Sequence, residues 1–500
     1  MKFSKKSYLN IACLGILFCA VGAFLLRAFS HPATTDSGAF SALALHMDQG
    51  KQLYVDVWDN KPPGVFLLYQ LAIMGIGKSW FAVHLLLAFL NGMLFWLIFR
   101  ALNKLLQSAI LALLLTLGFG MIYFDVSLYS TGGLTEEFGT MSLIMGSAII
   151  ILSTKQSWLP ALGIALISFA PWFKEPFAFI SCFVLLYLFF YKWERLAKWK
   201  LVFAAFLPHL LMGVWLFSTG ILDSYLETVL RNIVYTKADG TVLFSLQKNY
   251  ALMFIYYWNT NYLFCLAIGV SLLLLVKDLL LQSRYKNLIF YVLFGLASTY
   301  AVFMSAKGFG HYFQMGSFFL LSSATFVLWY CNQKSKIPIY AILRLVFTFY
   351  LASLIYEYAI TSPFSFTYEN ANKNRITEYI KKHKKKGDEL FVESQNLGAL
   401  YLETGCISSV PMPVAFGVHI KTDWGADFMR RQDSILRVNP PKFVLQNRAW
   451  QPSTGHFNTR EYFTIKYTVK DSMLSKNSAD YFYLLERKKI DFRSLNRKQK

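Results

Sequence analysis

Residues 81–125 read FAVHLLLAFLNGMLFWLIFRALNKLLQSAILALLLTLGFGMIYFD, two long apolar runs parted by the basic break Arg100 to Lys104. A run of about 18 or more residues with few charges is long enough to cross the hydrocarbon core of a bilayer as a helix. Similar runs occur near 8–28, 137–154, 157–172, 176–191, 200–219, 260–276, 287–304, 312–330 and 338–359, which with 81–99 and 107–125 makes eleven. The 500 residues are 55% hydrophobic and 17% aromatic, and only 15% are charged. An ordinary soluble domain carries about 25% charged residues, so this much apolar surface requires lipid as solvent. The expected fold class is an α-helical polytopic membrane protein of about 11 transmembrane helices.

The formal charge of +21 raises nucleic-acid binding as a candidate role. The basic residues, however, sit mainly in the short breaks Arg100 to Lys104, Lys155, Tyr191 to Lys200, Lys277 to Lys286 and Asn332 to Lys336, and in the tail. All five breaks fall on one side when the spans are counted, and by the positive-inside rule that side is cytoplasmic, together with the N-terminus. No nucleic-acid partner is therefore expected. An odd number of spans puts the C-terminal tail outside, in the periplasm of a bacterial inner membrane. The basic start (Lys2, Lys5, Lys6) and the long stretch from Tyr8 to Leu26 read as an uncleaved first span rather than a signal peptide. The six cysteines show no metal-ligand spacing and no obvious disulfide.

The outward loops are 30–80, 126–136, Pro171 to Glu175, 220–259, 305–311 and the tail from about Thr361. Gly64 to Gly77 is apolar but too short for a span, and reads as an interfacial or re-entrant helix. From about Asn372 the composition turns to mixed charge. A helix over Asn374 to Lys385 and strands at Glu389 to Glu393, Pro441 to Gln446, Tyr462 to Val469 and Tyr481 to Arg487 give a small α/β domain. The expected division is a transmembrane module over 1–360 and a soluble periplasmic domain over 361–500.

The first outward loop carries the densest chemistry. It runs Thr35-Asp36-Ser37-Gly38-Ala39-Phe40, then Gly50-Lys51-Gln52-Leu53-Tyr54, then Trp58-Asp59-Asn60-Lys61-Pro62-Pro63-Gly64. An amphipathic piece (Phe40, Leu43, Ala44, Met47) ending at Gly50 reads as a juxtamembrane helix, with Asp36 at the bilayer surface. Taken alone, Asp36 reads as a helix N-cap, and Lys61-Pro62-Pro63 as a stiff turn with a snorkelling lysine.

Together, these pieces resemble the first periplasmic loop of the family 39 type glycosyltransferases of the C-type superfamily, which include protein O-mannosyltransferases and the lipid A aminoarabinose transferase. In that family an acidic residue follows the first span, a G-x-x-Y stretch comes next, and an Asn-Lys-Pro-Pro type motif closes the loop. Asp36, the Gly50 to Tyr54 stretch and Asn60-Lys61-Pro62-Pro63 match in that order. Many relatives have Asp-Glu where this chain has Asp36-Ser37. The resemblance implies a GT-C-like fold, Asp36 as general base, Lys61 as a ligand of the donor phosphate, and Tyr54 and Asn60 beside the substrate.

Three further sites share that face. In Leu134-Thr135-Glu136-Glu137-Phe138 the acids suit a helix N-terminus; Glu136 aligns with the family's second acidic position, whereas Glu137 reads as a dipole partner only. Trp172-Phe173-Lys174-Glu175-Pro176 holds two charges in a tight turn, where a mutual ion pair is the plainer reading and the resemblance makes Lys174 a second phosphate contact. Ser305 to Tyr312 offers Lys307 for the phosphate and His311 and Tyr312 for substrate; the plainer reading is a helix anchor and an aromatic belt. The loop 220–259, with Tyr225, Glu227, Arg231, Tyr235 and Lys237, has the composition of a lid, but nothing in it decides that role.

The function implied is inverting transfer of a hexosyl or pentosyl group from a polyprenyl-phosphate-linked donor to a hydroxyl on a lipid, glycan or protein acceptor at the outer face. A carboxylate base removes the acceptor proton and cations offset the charge growing on the leaving phosphate. No cofactor is implied; some members of the wider superfamily use a divalent metal, but spacing does not identify Asp36, Glu136 or Asp56 as ligands. A transporter or lipid flippase is the alternative, and an assembly scaffold a third. Transporters usually show internal repeats and midplane charges, neither of which is visible here.

Overall fold

The computed structural model of the chain describes residues 5–29, 35–125, 129, 132–154, 158–191, 198–238, 265–280, 285–304, 310–334, 337–338, 340–342, 344–346, 348, 352, 371–393, 397–411, 423–447, 467–474 and 481–487. The chain divides into two compact units. The first holds Met1–Pro32, Asn60–Val65 and His84–Thr367; the second holds Ala33–Asp59, Phe66–Val83 and Tyr368–Lys500. The division expected at 360/361 differs from this, because most of the first loop groups with the tail.

The helices of the N-terminal half are α1 (Lys5–Phe29), α2 (Thr35–Asp48), α3 (Gly64–Gly75), α4 (Trp80–Leu106), α5 (Ala109–Tyr123) and α6 (Thr135–Leu152). There follow α7 (Leu159–Phe169), α8 (Phe177–Tyr191), α9 (Lys198–Ser218), α10 (Leu222–Ala238), α11 (265–280), α12 (Tyr285–Phe303) and α13 (Ser317–Gln333). Among the described residues five helices are long and apolar enough to cross a membrane: Ser7–Leu26, Trp80–Leu106, Thr135–Leu152, Trp199–Ser218 and Tyr285–Phe303. Shorter apolar helices lie at Gly64–Gly75, Ala109–Tyr123, Leu159–Trp172 and Phe177–Phe190. The run at 312–330 starts as a 3₁₀ segment, Gly310–Gly316, before α13 begins. Most of the run at 338–359 lies outside the described residues.

Within the first unit, the hairpin of the opening stretch closes as its sequence dictates. Gln107 takes a left-handed conformation (φ 52), and Ser108 caps α5 by accepting the Leu111 N–H at 3.4 Å. Helices α6 and α7 meet through a notch of small residues, where Gly146 and Gly163 each abut the other's carbonyl oxygen so closely that neither position has room for a Cβ. Ser142 Oγ donates to Leu166 O at 2.7 Å, Ser168 Oγ to Ala205 O at 2.5 Å and Ser181 Oγ to Ile167 O at 2.7 Å. Close backbone packing and such hydroxyl bonds hold helices together where lipid offers no hydrophobic driving force between them.

The second unit contains α14 (Ala371–His383), α15 (Ala399–Thr404) and α16 (Asp423–Val438), with strands β1 (Glu389–Glu393), β2 (Ile407–Ser408), β3 (Phe443–Asn447), β4 (Tyr467–Leu474) and β5 (Tyr481–Arg487). The sheet order is β2-β1-β3-β5-β4: β1 runs parallel to β2 and β3, and β5 runs antiparallel to β3 and β4. Phe391, Val410, Leu436, Val444 and Leu485 form its core. Gly387 takes φ 87 in the turn between α14 and β1, a conformation that glycine adopts without a steric penalty.

Helix α2 corrects an expectation. A juxtamembrane helix keeps one face wet, yet Ser37 and Ala39 to Leu45 are each at most 1% exposed, and Gly38 lies against the backbone of Ala399. A Cβ on Gly38 would come within 2.9 Å of the Ala399 nitrogen, so the absent side chain is what admits α15. On another side Phe40 packs edge-on against Phe66 and Tyr69 of α3, at 5.5 and 6.1 Å between centroids. The helix is therefore a core element of its unit. It also starts at Thr35, which makes Asp36 a first-turn residue rather than the cap.

Candidate active site

In the first unit Pro62 and Pro63 restrict the backbone around Lys61, and Gly64 opens α3 directly against the Trp172 carbonyl and the Phe173 ring, where a Cβ would clash. The Asn-Lys-Pro-Pro-Gly motif is thus seated on the Trp172 to Glu175 turn. A line of hydrogen bonds starts there. Lys61 Nζ donates to Asn60 Oδ1 at 3.0 Å, Asn60 Nδ2 to Asn232 Oδ1 at 3.2 Å, and Asn232 Nδ2 to Glu175 Oε1 at 3.0 Å.

The neighbouring residue of the turn faces a different group. Lys174 is 5% exposed; its ammonium donates to Glu136 Oε1 in the first turn of α6 and stands 3.4 Å from the centre of the Tyr312 ring. Glu136 also accepts from Thr135 Oγ1 at 2.8 Å, and His311 Nε2 lies 3.7 Å from it. Thr140 Oγ1 donates to Gln314 O at 3.1 Å, which ties the 3₁₀ segment carrying His311 and Tyr312 to α6. A mutual Lys174–Glu175 pair is not what forms. Adjacent residues of a tight turn point apart, so each charge finds its partner on a different helix.

Glu137 also departs from expectation, because it does more than face the helix dipole. It is fully buried, accepts from Asn91 Nδ2 at 3.0 Å and takes the Gly133 N–H at 2.5 Å, so it fixes the approach to α6 and with it the position of Glu136.

The residues of this region therefore comprise two cations, three carboxylates and three amides, partly or fully withdrawn from water, in a helical membrane-type unit. No family model matches the sequence, and no curated relative matches it. Among solved structures, ArnT from Cupriavidus metallidurans, determined bound to undecaprenyl phosphate, superposes with a TM-score of 0.60 at 10% identity, covering 96% of this chain and 98% of that one. The chain shares the fold of ArnT. At that identity the likeness is one of fold, and the residues must speak for themselves.

The remaining sequence candidates are distributed as follows. Asp36 is half-buried in the first turn of α2, and no described residue pairs with its carboxylate. Tyr54 is buried in the same unit with φ 66, an uncommon conformation for a tyrosine, its N–H donating to Val57 O at 2.6 Å. Asp56 accepts the Gln52 N–H at 2.9 Å. Lys307 lies outside the described residues. The first unit contains Asn60, Lys61, Glu136, Lys174, His311 and Tyr312, the second Asp36 and Tyr54.

Asn232 and Asn91 were not singled out by sequence, and Glu175 was read only as an ion-pair partner of Lys174. A signal existed for Asn232: Tyr225, Thr228 and Asn232 recur at helical spacing on one face of α10. Among the described residues, no group of three or more His, Cys, Asp or Glu side chains that could hold a metal ion is found. A cavity of about 280 Å³ between α4, α6 and α13 is lined by Ile98, Ile144, Phe326 and Trp329 among others, and shares no residue with the polar network.

Proposed function

We propose that the chain is a membrane glycosyltransferase that takes its sugar from a polyprenyl-phosphate-linked donor and passes it to a hydroxyl of a lipid, glycan or protein. The observation that carries this reading is the seating of Lys61 and Asn60 within a fold shared, over nearly its whole length, with ArnT, a protein solved with undecaprenyl phosphate.

In this reaction the acceptor oxygen bonds to the anomeric carbon as the carbon–oxygen bond to phosphate breaks, its electron pair leaving on the phosphate. Attack from the face opposite the phosphate inverts the configuration. Asp36 takes the acceptor proton, a contribution of about 10²–10⁴-fold for a well-placed base. Lys61 offsets the charge on the departing phosphate. Lys174 acts at one remove, because its ammonium is already held by Glu136 and the Tyr312 face. The role of Asp36 rests on the loop pattern.

With a labelled polyprenyl-phosphate sugar supplied to membranes containing the full chain, Asp36→Asn should abolish transfer while the protein stays folded. Lys61→Met should weaken retention of undecaprenyl phosphate by about tenfold, the size expected for one charge-assisted contact. Undiminished turnover by Asp36→Asn would remove the mechanism.

A further inference from the structure

The line of bonds from Lys61 ends among groups that the chemistry of the phosphate does not use. Trp172, one residue before the buried Phe173-Lys174 pair, is half-buried, and its ring lies 6.0 Å from Tyr225 at 30° and 5.9 Å from His209. Its indole N–H donates to His209 Nδ1 at 3.0 Å, so the Nε2 of that histidine carries the proton shared with Ser168 Oγ at 2.9 Å. The ring is thereby fixed in orientation. Beside it, Glu175 accepts one amide bond from Asn232 and makes no ion pair among the described residues. Burial raises the pKa of the Tyr225 hydroxyl, and the Glu175 charge raises it further.

We propose that Trp172, Tyr225, Asn60, Asn232 and Glu175 form a subsite for the sugar ring of the donor, with Lys61 at its phosphate end. This rests on the donor reading above.

A sugar offers two kinds of surface, a face of C–H bonds and a rim of hydroxyls. Aromatic faces carry the negative side of the ring quadrupole and cover apolar C–H surface, whereas amides and carboxylates bond the hydroxyls. A carboxylate with spare lone pairs accepts from two neighbouring hydroxyls at once, and charge-assisted bonds of this kind are about twice as strong as neutral ones. The spacing also fits. The sugar is joined directly to the phosphate, so groups that read its hydroxyls must lie within a few hydrogen-bond lengths of the cation that holds the phosphate. Three consecutive bonds of 3.0, 3.2 and 3.0 Å connect Lys61 to Glu175. Asn60, Trp172, Glu175, Tyr225 and Asn232 are all half-buried, so each keeps part of its surface open to a ligand.

The test is competition on the full-length protein in detergent, read by native mass spectrometry, between undecaprenyl phosphate and the same lipid bearing glucose, mannose or aminoarabinose. The wild type should hold at least one sugar-bearing lipid about tenfold more tightly than the bare one. Glu175→Gln, which keeps the amide bond to Asn232, and Trp172→Leu should each reduce that preference to near parity and leave binding of the bare lipid unweakened. Parity already in the wild type, or equal loss of both lipids in the variants, overturns the subsite. Failure of the wild type to bind either lipid overturns the donor reading itself, and the subsite with it.

Discussion

Lys174 sits 5% exposed with its ammonium between a carboxylate and an aromatic ring, and Glu136 beside it is 1% exposed. Two charges withdrawn from water survive only by facing each other, and removing one partner of such a pair costs about 3–5 kcal/mol. Lys174→Met should therefore lower the melting temperature of the purified protein in detergent markedly. Adding Glu136→Gln should restore much of the loss, because the orphaned charge is gone. A double variant as unstable as the single one would mean that the pair is not the reason for the burial. The sequence pointed to both residues as chemically important, with Lys174 as a phosphate contact by resemblance and, on the plainer reading, as the partner of its neighbour Glu175. Nearness along the chain suggested that choice, and the opposite directions of side chains in a tight turn decided against it.

Helix α2, with Asp36 in its first turn, is tied to its unit at its far end by a buried histidine. His46 Nδ1 donates to Ala42 O at 2.5 Å, and its Nε2 accepts the Ser408 N–H at 2.6 Å, so both ring nitrogens are engaged only when the imidazole is neutral. Burial is the main cause of its lowered pKa, about 4, with the Lys51 charge adding to the effect. The unfolded chain binds the proton near 6.5 and the folded one only near 4. Stability from this residue is thus complete above pH 6.5 and falls as pH drops toward 4, by about 3 kcal/mol at roughly 1.4 kcal/mol for each pH unit. Hydrogen exchange of the full chain should show the β2 amides losing protection across that window, and His46→Gln should flatten the dependence. Unchanged protection between pH 7 and 4 would count against the tie. Sequence periodicity had made this helix amphipathic, because Phe40, Leu43, Ala44 and Met47 fall on one side. Its other side is small rather than wet, and Gly38 shows why that matters: smallness there serves close packing on α15.

At the scale of the whole chain, we propose an orientation in the membrane from the placement of lysine and arginine, which the positive-inside rule converts into a cytoplasmic N-terminus and an outer tail. Gln107→Cys, at the exposed turn after α4, should react with a membrane-impermeant maleimide only from the cytoplasmic face, and Lys386→Cys, before β1, only from the outer face. Reaction of both from one side would reverse the orientation of the tail. Much of this architecture was legible in the residues alone. Within the described residues the apolar runs lie on helices, the run at 312–330 after a 3₁₀ start, and the strands at Glu389–Glu393 and Tyr481–Arg487 begin and end where expected, because hydropathy and alternation are local properties that the chain carries wherever it goes. The Asn60-Lys61 motif was legible for the same reason. Its partners were not. Asn232 lies 172 residues from Asn60, and Lys174 lies 38 residues from Glu136. Such pairings depend on which helix faces pack together and how closely glycines let backbones approach, and those are properties of the folded chain in three dimensions.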